Sequence, residues 1–236
     1  MNNHYTASPI ENRFLSIIGV AAFCYLVIHF STISIISKFF SLQNSFFVLQ
    51  FEQHFWQYLF SFLAVVVLSR GHLWSYGINS QNLKRSMVWL VWLYGVIIMA
   101  TLIFGESFLP VHSSNLPVGT RETFVSFLTY WMSSPVANQI LFFSFGQTVL
   151  MKQWGDSFSI KGFPVVILFS SILFAFGATS SQFQLGEYSI IPTFILGLFS
   201  GVVYWKTNSL ITPMLGHAFY FGFPLFIHIL KINLFQ

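Results

Sequence analysis

The sequence predicts an all-α protein, a polytopic bundle of about seven transmembrane helices, on three observations. Of its 236 residues 55% are hydrophobic and only 7% charged, with 31 phenylalanines and a mean hydropathy of +0.72, whereas soluble domains carry ~25% charged residues. Apolar runs recur at roughly the 20 residues that one membrane helix needs. They fill the chain so completely that no stretch remains for a separate soluble domain. Residues 1–236 are therefore read as a single integral membrane domain.

The first span, 14–36, follows a polar stretch, MNNHYTASPIENRF, that lacks the basic region, short apolar core and small-residue cleavage site of a signal peptide, so this helix is expected to be retained. Cys24 lies in it as the single cysteine, which excludes an intramolecular disulfide and makes it a small apolar filler. The second span, 55–69, is short and rich in Phe and Val. It reads as tilted, re-entrant or extended by Gln53 to Gln57, and six to eight spans are consistent with the sequence. A third span, 86–104, follows the polar loop 70–85, and a long fourth one covers 123–150. Spans at 163–181, 188–205 and 208–230 complete the bundle. With these limits every acidic side chain lies outside the hydrophobic stretches, while His29, His217 and His228 lie inside them.

Alternation from a cytoplasmic N-terminus puts Arg13, Arg70, Lys84, Arg85, Lys152, Lys161 and Lys206 on one side, against Lys38, Arg121 and Lys231 on the other. This asymmetry follows the positive-inside rule. It accounts for the formal charge of +4 without a nucleic-acid partner, because the basic residues are scattered through short loops and form no stripe with interleaved aromatics. A bacterial inner membrane is the expected location, with membrane lipids as the first partners.

No internal repeat, low-complexity tract, phosphate loop, Gly-rich nucleotide fingerprint or Cys/His zinc cluster occurs, so no cofactor is expected. In the loop 105–122, Glu106 and His112 are six apart with Pro110 between them, which does not set them on one helical face. They read as solvated loop residues.

The informative stretch runs from Ser133 to Phe221. Asn138 and Gln139 are adjacent amides in mid-span, and each must find hydrogen-bond partners because an unsatisfied polar group in hydrocarbon costs several kcal/mol. They are expected to point into the bundle. The segment Leu173 to Ser181 is rich in small residues that permit close helix approach. Gly197 and Gly201 form a small-xxx-small face suited to packing within the chain or between copies. His217 falls about one turn after Pro213, on the same helical face as Phe221.

The runs SSPVANQILFFS, ILFAFGA and FILGLFSGVVYWKTNSLITPMLGHAFYF resemble the CPBP membrane proteins, the CAAX prenyl protease and bacteriocin-processing family. The resemblance is best over about 123–230, and the lead-in GINSQNLKRSMVWL supports it. It implies the family's multi-helix architecture and three motifs: Glu-Glu-x-x-x-Arg, Phe-x-x-x-His, and His-x-x-x-Asn or Asp. Carried over by position, the Glu pair falls on Asn138 and Gln139, the Arg on Phe143, the first His on Ala178, the second His on His217 and the last position on Phe221. Of these only His217 is retained.

In the family a glutamate is taken to activate water, with two histidines assisting. Asn and Gln carry no titratable proton to serve as general base, Ala178 offers no nitrogen and Phe143 no guanidinium. His217 is the sole candidate metal ligand, too few for a catalytic zinc. The expected function is thus that of a family homologue without catalysis, a scaffold or binding protein for a transmembrane, lipid-modified or leader peptide. The alternative is an active intramembrane endopeptidase, CAAX-type or bacteriocin-processing, with a displaced site that draws its carboxylate from Glu106 or Glu187. For His29 and His228 a packing role is expected.

Overall fold

A chain this apolar must satisfy its backbone groups inside helices wherever it meets lipid, and the computed structural model is built accordingly. It describes residues 10–32, 46–80, 82–104, 128–155, 159–160, 162–180 and 190–220. In chain order the helices are α1 (Ile10–Ser31), α2 (Phe46–Ser69), α3 (Leu83–Phe104), α4 over 129–154, α5 (Val166–Ser180), α6 (Ile190–Thr207) and α7 over 211–220. That all-α arrangement agrees with the expected fold class. Residues 11–31 and Ile190–Thr207 are long and apolar enough to cross a membrane, with hydropathies of 2.1 and 1.4. Between α4 and α5 a minimal antiparallel ribbon pairs Ile160 with Phe163.

The second span departs most from the sequence reading. Helix α2 begins at Phe46, so the extended alternative holds and Gln53 to Gln57 are helical. The expectation that all acidic side chains lie outside the hydrophobic stretches is corrected as a result: Glu52 lies within α2 and is buried, and Glu11 opens α1. His54, not counted among the intramembrane histidines, is also helical and buried. A polar run at the start of an apolar segment looks like a loop in sequence; burial against other helices allows it to continue the helix instead.

Among the described residues helices α5 and α6 pack extensively on each other, and small residues are the reason. A Cβ on Gly197 would sit 3.2 Å from the Ser171 backbone, and one on Gly201 would sit 2.8 Å from Ile167 Cγ2. The small-xxx-small face is therefore spent on packing within the chain. In the same way Gly177 on α5 accommodates Phe142, whose ring an added Cβ would strike.

The loop after α2 docks on the start of α7 and sets its position. Asn79 Nδ2 donates to the carbonyl of Asn208 at 2.8 Å, Asn82 Nδ2 to that of Thr207 at 3.1 Å, and Leu210 N to that of Gly77 at 3.0 Å. Ser209 caps α7, its hydroxyl accepting from Ile211 N at 3.4 Å and donating to Asn79 O at 2.9 Å. Gly77 has a left-handed φ of 76° and its Cβ position overlaps the Tyr204 ring, so glycine is required there. This loop, a polar linker in the sequence, is the clamp that sets the helix bearing His217.

Candidate functional site

Helix α4 is the spine of the site. Its first turn over Thr129–Ser133 is π-helical, Ser134–Gln139 is α-helical, and Ile140–Gln147 is π-helical again before the α-helix resumes at Thr148–Trp154. Such π segments are rare and cluster at functional sites. Here they widen the turn on either side of the two amides. Every residue from Ala137 to Thr148 is buried, so this is the interior helix of the bundle.

The amides point inward as expected. Gln57 Nε2 on α2 donates to Asn138 Oδ1 at 2.9 Å, and Asn138 Nδ2 donates to Ser134 Oγ at 3.1 Å. Ser134 Oγ lies 3.5 Å from His217 Nε2, and Gln139 Nε2 lies 3.4 Å from His217 Nδ1 and 3.3 Å from Ser200 Oγ. With the amide in this orientation, Gln139 donates to Nδ1, so His217 carries its proton on Nε2 and donates it to Ser134. Both ring nitrogens are then engaged by neutral protein groups. Gln139 Oε1 stays buried with no partner among the described residues. A second polar set sits one π segment along, where Gln147 Nε2 donates to Gly201 O at 3.0 Å and Ser170 Oγ to Gln147 Oε1 at 3.1 Å.

The remaining family positions are aromatic or small. Phe143 is fully buried with its ring 5.6 Å from that of Phe174, and Phe174 in turn meets His217 edge-on at 5.4 Å. Phe174 is one turn before Ala178 on α5, which is the Phe-x-x-x-His spacing with alanine in the last place. Ala178 is 4% exposed. A packed aromatic wall therefore stands where the resemblance would put a guanidinium and an imidazole. Phe221 lies outside the described residues, as do Glu106, Glu187 and His228, so the carboxylates expected for a displaced site are not placed.

The structure brings to this region residues that sequence reasoning did not select. His54 is 2% exposed and near enough to His217 for the two to interact electrostatically. Gln57 is 3% exposed and bonded to Asn138. Glu52 is buried, with Trp56 Nε1 3.4 Å from Oε1. Their signal was available: His54, Gln57 and Ser61 recur at helical spacing and give α2 an inward polar stripe. His29 is exposed and stacked on Tyr25 at 5.9 Å, away from the site. Among the described residues no group of three or more His, Cys, Asp or Glu is placed to hold a metal ion.

No curated protein and no solved structure matches the chain. Residues 120–222, which contain every family position named above, match the family described as type II CAAX prenyl endopeptidase Rce1-like. The match agrees with the CPBP resemblance, and together with the two apolar helices it supports an integral membrane protein. Over residues 120–222 the chain is thus similar to the type II CAAX prenyl endopeptidase Rce1-like family.

Proposed function

We propose that this homologue has lost catalysis and acts as a membrane scaffold or binding protein for a transmembrane, lipid-modified or leader peptide. The observation that carries the reading is the chemistry at the family positions. Asn138 and Gln139 replace the carboxylates, Phe143 and Ala178 replace the guanidinium and first imidazole, and the retained His217 is held by Ser134 and Gln139. Peptide hydrolysis needs a base to take a proton from water; carboxamides cannot do so. The basic-residue asymmetry supports a cytoplasmic N-terminus in a bacterial inner membrane. The test is cleavage of prenylated and leader-type peptides by the purified protein beside His217→Ala. Turnover that disappears in the variant overturns the reading.

A second reading, an active endopeptidase with a displaced site, has one observation in its favour: α2 carries a buried carboxylate, Glu52, and a second buried imidazole, His54, close to His217. It requires turnover by the native protein that Glu52→Gln or His54→Ala abolishes.

A further inference from the structure

The geometry points to a lipid-binding site on the face formed by α1 and α2: one bound phospholipid, with an acyl chain between the two helices and its headgroup at a polar mouth made by Asn12, Ser16 and Gln153. This site is separate from the one around His217 and does not depend on the proposed function.

The groove has the chemistry of an acyl chain along its length. A cavity of about 590 Å³ lies between α1 and α2, and each of its lining residues is apolar. Its floor is buried, formed by Val27 and by Phe145 of α4, whose ring packs 4.4 Å from Phe23. Its rims are exposed, with Leu26 at 46%, Phe30 at 53% and Leu63 at 50%. A buried floor between exposed rims is a slot rather than a flat lipid-facing surface. Leu68 and Phe145 also line a second cavity of about 410 Å³, so the two adjoin.

That second cavity is where the lining changes character. Toward the start of α1 it gains Asn12, Ser16 and Gln153. Asn12 and Gln153 present side-chain amides that can donate to phosphate oxygens, while the Ser16 hydroxyl turns back to Arg13 O at 2.6 Å. Arg13 follows Asn12 and Arg70 lies two residues after Leu68, so the sequence brings two positive charges to the ends of α1 and α2 that bear this mouth, which suits an anionic headgroup. From Gly19 to Phe30 the apolar stretch is about 16 Å long at ~1.5 Å per residue, and one leaflet of hydrocarbon is about 15 Å deep, half of ~30 Å. Polar at one end and apolar for one leaflet's depth, the groove fits a lipid better than a transmembrane helix, which meets polar residues at both ends.

Gly19 provides the test. It lines the groove, and a Cβ there would meet nothing within 4 Å, so a larger side chain enters the slot without striking the protein. Protein purified in mild detergent and weighed by native mass spectrometry is expected to carry one phospholipid per chain. In Gly19→Leu and in Ala64→Phe, which fills the deeper part, the bound fraction should fall at least tenfold, while Val91→Phe on the exposed face of α3 leaves it unchanged. Retention of lipid unchanged by both fillings, or no retained lipid, overturns the proposal. So does disulfide formation between copies carrying Leu63→Cys that excludes lipid, because the groove would then be a protein interface. Should both filled variants fail to fold, titration of delipidated native protein with phosphatidylglycerol decides: saturation at one lipid per chain supports the site, and absence of saturable binding overturns it.

Discussion

Gln57 Nε2 donates to Asn138 Oδ1 at 2.9 Å and ties α2 to α4 across 81 positions of sequence. One partner stands where the family resemblance places a glutamate; the other is an amide at the polar start of α2. If Asn138 were a carboxylate the contact would also serve, but the buried charge would then need further compensation. As an amide, Asn138 accepts from Gln57 and donates to Ser134, and the pair links two helices without a charge.

Removal of either amide of that pair should therefore destabilise the bundle. Asn138→Ala and Gln57→Ala are each expected to cost about 1–2 kcal/mol, since the surviving partner is left buried and unsatisfied. In the double variant the costs should fall short of the sum by about 0.6 kcal/mol, the average for side-chain hydrogen bonds between membrane helices, and by no more than ~1.7 kcal/mol. Unfolding of all four proteins in mixed micelles checks the cycle.

Substitutions at Gln139 should separate charge from packing. Its side chain is completely buried, makes two long hydrogen bonds at 3.3 and 3.4 Å, and leaves Oε1 without a partner among the described residues. Gln139→Met keeps the volume and removes the unpartnered acceptor, so a change within about 1 kcal/mol is expected. Gln139→Glu places a carboxylate where no cation is available among the described partners and is expected to cost about 3–5 kcal/mol. It should not restore peptide cleavage. Thermal unfolding and the peptide assay give the two readouts.

His217→Ala is expected to behave as a core truncation. The ring is 1% exposed, contacts Phe174 edge-on and meets Ser134 and Gln139 through both nitrogens. Loss of its volume and of those bonds should cost about 2–4 kcal/mol, with no change in peptide turnover if the scaffold reading holds. A thermal shift without any catalytic change is the outcome to look for.

The helix glycines should divide by what surrounds them. Gly197→Ala brings a Cβ to 2.9 Å from Phe174 and 3.2 Å from the Ser171 backbone, which cannot move aside, so about 1–3 kcal/mol should be lost. Gly19→Ala meets nothing within 4 Å and should stabilise α1 by up to about 1 kcal/mol through helix propensity. Opposite shifts in melting temperature are expected, and equal shifts would contradict the close α5–α6 approach.

Much of this protein was legible in residue order because the bilayer imposes simple demands. Lengths and hydropathy of the apolar runs set the all-α class, and the lack of charge around Asn138 and Gln139 required that these amides find partners inside the bundle. The motif spacing placed Asn138, Gln139, Phe143, Ala178 and His217 in one homologous stretch, which the 120–222 match covers. Those are local properties, readable from composition and period. What only the tertiary structure decided is what meets what. Glu52, His54 and Gln57 look like a polar approach to a short span until α2 is seen to start at Phe46, to bury all three and to bond Gln57 to Asn138 of α4. The loop 70–85 looks like a linker until Asn79, Asn82 and Gly77 are seen to hold the start of α7. Contacts across 80 to 130 positions depend on helix rotation and close approach, which small residues permit and many side chains jointly determine, so no window of sequence contains them.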